Sequence, residues 1–266
     1  MDVVIGMDLS LRGPAFVALS LKRLMVLKWG FMTDIKHHYE SDVVVGGRKG
    51  MRFLLRKRQK KTKKLEADQL DQYISYRNWY IQLCISQFLL SCKELCSHTH
   101  LTVAIEGYAY GRVSGKECLA AFQIGESIGI VKELLYTSRI PYRIYQPNTI
   151  KTFATGNKSA KKFQMVARAQ ELGLNDVVCY CDPGNKFDTP LSVDGRIHHR
   201  DDKGPGTDLA DAFHIARMLR EELLLKCGLV TLDNAIRSDL FKSSSKANPI
   251  PLVDRPFVCG RSCDVK

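Results

Sequence analysis

The chain has 266 residues, 45% hydrophobic and 26% charged, with 40 Lys plus Arg against 28 Asp plus Glu and a formal net charge of +12. That length supports one well-buried core and is short for two, and the ordinary apolar fraction excludes collagenous, mucin-like and wholly disordered classes. No stretch approaches the roughly 18 apolar residues of a membrane span, and Asp2 stands where a leader would carry basic residues, so a soluble intracellular protein with no membrane partner is expected.

The first segment, VVIGMDLS, is a continuous apolar run broken by Gly6 and closed by Asp8, which predicts a strand buried on both faces. Gly13 and Pro14 make a turn, and AFVALSL and LMVLKWG predict two further strands joined by a hairpin at Lys22 and Arg23. Residues 33–66 break the pattern and read as an insertion. It contains a run, 48–64, with ten Lys or Arg in seventeen positions and no acid, leaving 30 basic and 28 acidic residues elsewhere. Nearly all the excess charge therefore sits in Arg48, Lys49, Arg52, Arg56, Lys57, Arg58, Lys60, Lys61, Lys63 and Lys64. Such a run repels itself and needs a polyanion or solvent beside it, which points to nucleic acid. Met51, Leu54 and Leu55 give it a thin apolar stripe at helical spacing, so a cationic helix is expected there.

From 67 to 96 the positions Leu70, Ile74, Trp79, Leu83, Phe88 and Leu89 recur at helix-like intervals without Gly or Pro, predicting a long amphipathic helix. LTVAIEG is a second buried strand ending in an acid, Glu106; residues 115–138 predict a helix, and PYRIYQP a strand bounded by prolines. A helix with Ser159 as N-cap should run to Leu172, stopped by Gly173. Residues 182–206, with three prolines and four glycines, read as a long loop, after which Thr207 should cap a helix to Lys226. From 229 to 266 too few apolar residues remain to build a core, so an extended or partly disordered tail with an unknown partner is expected. The expectation is an α/β fold. Its mixed sheet would have three antiparallel strands followed by parallel strands entered through helical crossovers, all within one domain of residues 1–228.

Nine cysteines are far too few for a disulfide scaffold, and their spacings never give paired C-x-x-C motifs. A zinc site from Cys179, Cys181, His198 and His199 is the alternative to reduced, chemically silent thiols.

The acids are more informative. Asp8 and Glu106 each end a strand that is otherwise uncharged, and if those strands pair, neighbouring backbones about 4.8 Å apart let the two carboxylates share one ion. Asp208 and Asp211 lie three apart on one helix face, with Ala210 and Ala212 allowing close approach of the backbone. A lone strand-end acid usually faces water, and acids in a first helical turn usually serve the macrodipole. Four converging carboxylates without a His or Cys cluster favour Mg²⁺ or Mn²⁺ over zinc. Two such ions suit hydrolysis of a phosphodiester, and the basic run would attract the polyanion to an acidic site.

Four segments, IGMDLSLRGPAF, VAIEG, IKTFATGNKSAKKFQMV and GTDLADAFHIA, resemble in order and approximate position the four blocks of RuvC-like Holliday junction resolvases, within the RNase H-like nuclease superfamily. The resemblance covers discontinuous pieces of residues 1–226 and excludes the basic insertion and the tail. It implies a five-stranded mixed sheet flanked by helices and a structure-selective endonuclease cutting four-way or other branched DNA, acting as a homodimer with two Mg²⁺ per site. It places Asp8, Glu106, Asp208 and Asp211 on the family's metal-binding acids, and Lys151 and Lys162 on lysines that contact the scissile phosphate. Lys158 and Lys161, in the same turn, could substitute. The family's base-stacking aromatic falls near Tyr108 and Tyr110 but out of register with both. The added segments are compatible with a diverged resolvase of a large DNA virus. RNA–DNA hybrids, flaps or packaging intermediates as substrate, or a binding protein that has lost the chemistry, are the alternatives.

Overall fold

The computed structural model describes residues 2–10, 13–33, 42–45, 48–54, 67–95, 100–107, 116–174, 205–229, 241 and 254–259. Seven strands form one sheet: β1 (Val3–Asp8), β2 (Ala15–Ser20), β3 (Val26–Thr33), β4 (Asp42–Val45), β5 (Arg48–Leu54), β6 (Leu101–Glu106) and β7 (Tyr142–Tyr145), in the spatial order β4-β5-β3-β2-β1-β6-β7. The expected five-stranded unit is its centre and one edge. β1, β2 and β3 pair antiparallel, while β6 and β7 follow β1 in parallel, each entered through a helix.

The basic insertion departs from expectation. Arg48, Lys49 and Arg52 lie in β5, which pairs parallel with β3 and antiparallel with β4, and not in a cationic helix. The physical reason is what each alternative can bury. An isolated helix with a thin stripe has no partner, whereas a strand gains a hydrogen-bonded ladder along the exposed edge of β3. Met51 also packs against the core on one face, in contact with Ser91. Residues 55–64, with Arg56, Lys57, Arg58, Lys60, Lys61, Lys63 and Lys64, lie outside the described residues.

Among the described residues five α-helices cover the sheet: α1 (Ala67–Lys93) and α2 (Lys116–Thr137) on one face, α3 (Pro147–Thr155), α4 (Lys162–Ala169) and α5 (Pro205–Lys226) on the other. Strand alternation divides the core between them. Val4, Val17, Leu19 and Phe31 face α3–α5 with Phe213, Ala216 and Leu219, while Val3, Ile5, Met7, Phe16 and Ala18 face α1 and α2 with Ile85, Phe88 and Val131. Full burial of each such aliphatic or aromatic side chain contributes about 1.5–3 kcal/mol, and burial on both faces is why β1 and β2 are largely apolar rather than alternating.

Several boundaries shift. Pro147 opens α3 at its first position, where a missing N–H costs nothing, so the proline marks a helix start that punctuation alone read only as the end of a strand. Lys161, not Ser159, precedes α4, and its N–H donates to the Gln164 side chain. Gly173 does end the helical run, at φ 99. Thr207 lies inside the first turn of α5, which begins two residues earlier. In α1, Trp79 and Leu83 are exposed; the core contacts come from Ile81, Cys84, Ile85, Phe88 and Leu89.

Of the segment expected to form a tail, the described residues 241 and 254–259 contact the rest of the fold. Phe241 is fully buried against Phe153, and residues 254–259 dock on the β7 edge, where Tyr142 and Val258 exchange both backbone hydrogen bonds. Phe257 lies under Arg143 and Lys226, and the backbone carbonyls of Arg255 and Pro256 accept from Arg143. Too few apolar residues to form a core is a different matter from too few to join one. Cys84 and Cys92 are buried; Cys179, Cys181, His198 and His199 lie outside the described residues. Among the described residues no helix is long and apolar enough to cross a membrane.

Candidate metal centre

Asp8 and Glu106 end neighbouring parallel strands. Met7 pairs with Ile105, so the two acids are the next residues on adjacent backbones. Their parity with Val4 and Ala104 turns both toward α5. The opposing acids, Asp208 and Asp211, ride on the first two turns of α5, and what brings them close is the absence of a side chain. A Cβ on Gly6 would lie 2.1 Å from the Ala212 carbonyl oxygen and 2.3 Å from the Ala216 nitrogen, so β1 and α5 touch backbone to backbone. Gly13 similarly abuts Asp208, whose Oδ2 would stand 3.1 Å from an added Cβ.

Within this contact one carboxylate oxygen from each of Asp8, Asp208 and Asp211 comes within 4.8 Å of the other two. Glu106 stands outside that trio but within electrostatic reach of it. The Ser10 N–H donates to Asp8 Oδ1 at 3.0 Å, and the Ser10 hydroxyl oxygen accepts from the Gly13 N–H at 3.2 Å, so the loop after β1 holds Asp8 in place.

Burial and mutual repulsion make the site avid for positive charge. Burial, then the charges of Glu106, Asp208 and Asp211, push Asp8 well above the usual carboxylate range. Asp211 is pushed up to about 8 by burial and by Glu106, and Asp208 to about 6, chiefly by burial. Burial also raises Glu106, against the opposing pull of Lys151 and Lys162. Lys162, at the start of α4, reaches Asp208 Oδ1 at 3.4 Å with its side chain 43% exposed. Burial lowers its pKa, and the facing carboxylates more than restore it, so it stays charged. Its helix is pinned to α5 by His214, whose Nε2–H donates to the Met165 carbonyl at 2.9 Å. Burial, then Arg217, holds that imidazole down to about 3, so it is neutral.

Four acids are thus opposed by two lysines, with all-oxygen donors and no His or Cys among them. That donor set fits a hard divalent cation. Of the other expected site residues, Lys158 and Lys161 are exposed in the turn before α4, and Tyr108 and Tyr110 lie outside the described residues. Sequence reasoning missed Ser10, Gly6 and Gly13; a glycine inside an otherwise fully apolar strand was the available signal for a close backbone approach.

The central order β3-β2-β1-β6-β7, with β2 alone antiparallel to its neighbours, is the sheet implied by the four sequence blocks. The fold is a mixed α/β sheet flanked by helices, as the sequence led one to expect. No family model matches the chain, and no curated protein matches it. Solved structures similar to it include Thermus thermophilus RuvC in complex with a Holliday junction substrate, at 14% identity and TM-score 0.41 over 85% of this chain and 96% of that one. Another is T. thermophilus RuvC, at 14% identity and TM-score 0.39, covering 85% and 97% of the two chains.

Proposed function

We propose that the chain is a divalent-metal-dependent endonuclease that cuts four-way or other branched DNA as a homodimer. The observation that carries this reading is the convergence of three carboxylates from β1 and α5, two buried and one half-buried, with Glu106 beside them and two lysines at the rim. A purely structural site would not gather like charges out of water, where each raises the cost of the next.

Asp8, Glu106, Asp208 and Asp211 would hold the metal, two Mg²⁺ or Mn²⁺ ions in the resolvase reading. When bound, such ions lower the pKa of a water nucleophile and neutralise charge on the leaving oxygen. The protein's own groups do the rest. Lys162 and Lys151 offer cations at the mouth of the site, where they can attract and orient the phosphate. Ser10 fixes the Asp8 carboxylate, and the backbone contact at Gly6 keeps α5 at its distance from β1.

The topology also relates the basic run to this site. β5 runs parallel to β3, which runs in the direction of β1, so Leu54 leaves the sheet at the same end as Asp8 and Glu106. On this reading the run from Arg56 to Lys64, which follows Leu54 in the sequence, would hold the phosphate backbone that the acids repel.

The test is cleavage of four-way junction, Y-fork, RNA–DNA hybrid and linear duplex at equal concentration with Mg²⁺, scored for paired symmetric nicks. Paired nicks in the junction support a dimeric resolvase; preference for the hybrid would move the protein to another RNase H-fold activity. Neutralising Arg56, Lys57, Arg58, Lys60 and Lys61 together should weaken DNA binding and flatten its salt dependence. An unchanged salt slope would remove the basic run from the interface.

A further inference from the structure

On the sheet face opposite the carboxylates, α1 and α2 leave a cleft of about 730 Å³ between them. Its walls follow two helical stripes: Asp71, Ser75, Asn78 and Gln82 with Trp79 on α1, and Glu126, Gly129 and Glu133 on α2. Every ionisable residue lining it, among the described residues, is acidic, in a chain whose net charge is +12. The cleft is also aromatic at its lip. Trp79 is 54% exposed and in ring contact with the exposed Tyr76, and Phe122, one turn before Glu126, is 68% exposed. Ile74 and Ile130 add an apolar floor.

We propose that this cleft docks a basic amphipathic segment of a partner protein. Asp71, Glu126 and Glu133 would pair with Lys or Arg, Trp79 would lie against a cationic or apolar side chain, and Ile74 and Ile130 would receive an apolar anchor. Charge complementarity decides the class of occupant. An acid-lined cleft rejects DNA and acidic peptides, while a cation beside an indole face gains both ion pairing and cation–π attraction. Gly129 marks where the occupant lies, since a Cβ there would meet nothing within 4 Å. In a helix interior, glycine costs about 1 kcal/mol relative to alanine, and its open flank leaves room that the described residues do not fill.

Trp79 supplies the readout, because the other tryptophan, Trp29, is fully buried. The full-length protein is titrated with a Trp-free amphipathic Lys/Leu peptide, followed by tryptophan emission and checked by calorimetry. A saturable blue shift that weakens with salt is expected, and none with the Glu/Leu counterpart. Gly129→Arg brings bulk and positive charge into the cleft from a position where an added Cβ meets nothing within 4 Å, and should weaken binding by about tenfold or more, as should Glu126→Lys with Glu133→Lys. Asp8→Asn should leave peptide binding unchanged, which separates this surface from the carboxylate site and from any failure of the nuclease reading. Wild-type affinity in the Gly129→Arg protein, or no binding by the wild type, overturns the proposal. Tighter binding by a peptide of residues 55–66 would overturn it in favour of an internal occupant, and a dimer that Gly129→Arg dissociates would overturn it in favour of a second copy.

Discussion

The two ends of α5 carry opposite solutions to the problem of buried charge. At its C-terminal end Glu222 is fully buried, yet it is surrounded by donors. Arg143 pairs with one carboxylate oxygen, Lys226 stands 3.6 Å from it, and the Tyr145 hydroxyl donates to the other at 2.6 Å. Burial and the neighbouring carboxylate raise the Tyr145 pKa, so the phenol keeps the proton it donates. At the N-terminal end Asp208 and Asp211 face Asp8 and Glu106, and the lysines opposing them are fewer than the acids. The first cluster is electrically complete within the chain and holds β7, α5 and residues 254–257 together. The second, among the described residues, has fewer cations than acids, and the same helix places both.

Substitution should separate the two clusters sharply. Asp8→Asn is expected to reduce cleavage by about 10³-fold or more, as loss of a metal ligand removes several kcal/mol of transition-state stabilisation, while raising the melting temperature of the metal-free protein by relieving repulsion. Full activity in that variant would remove Asp8 from the chemistry. Glu222→Ala should do the reverse. It strands the Arg143 guanidinium without its carboxylate and should cost about 3–5 kcal/mol in denaturant unfolding, the scale for breaking a buried ion pair. A loss below about 1 kcal/mol would show that the cluster is solvated.

Deleting residues 254–266 should have a smaller effect, about 1–3 kcal/mol, because it exposes the β7 edge and removes two carbonyl acceptors from Arg143. Metal binding at the carboxylates, measured by calorimetry, should survive. An unchanged stability would mean that the docked segment merely rests on the edge.

The smallest effect is on pH dependence. A carboxyl group whose folded pKa is raised binds its proton more tightly in the folded state, so its stabilising contribution is lost as pH rises from the unfolded value toward the folded one. For Asp211 that window runs from 3.8 to about 8. His214, held down to about 3, acts in the opposite sense, but only below its ordinary value of 6.5. Between pH 6.5 and 8 Asp211 therefore acts without opposition from His214, and metal-free protein should lose about 1.5 kcal/mol across that interval, at about 1.4 kcal/mol for each pH unit over which the folded state alone keeps the proton. Mg²⁺ should restore more stability at pH 8 than at pH 6.5. A flat melting temperature without metal would show that the acids are hydrated in solution.

Legibility in the sequence followed the range of the interaction that fixes each feature. β1, β2, β6 and α2 could be read because their burial imprints a local pattern, and the four acids because strand ends and first helical turns are recognisable places. Trp79 and Leu83 were misplaced because a periodic stripe says that a helix has an apolar face, not how wide a strip its neighbour covers. Arg48, Lys49 and Arg52 were misplaced for a related reason. Whether a short amphiphilic segment becomes strand or helix depends on the free edge it meets, and that edge belongs to β3.

The sequence by itself determined the carboxylates, the lysines and the uneven charge, because residue identity and short-range periodicity suffice for them. Only the tertiary structure decided that Asp8, Asp208 and Asp211 share one small volume, since that depends on Gly6 and Ala212 meeting across some two hundred residues of chain. It alone also decided that Glu222 is neutralised where they are not. Electrostatic balance is a property of neighbours in space, and the donors around Glu222 come from β7 and the end of its own helix.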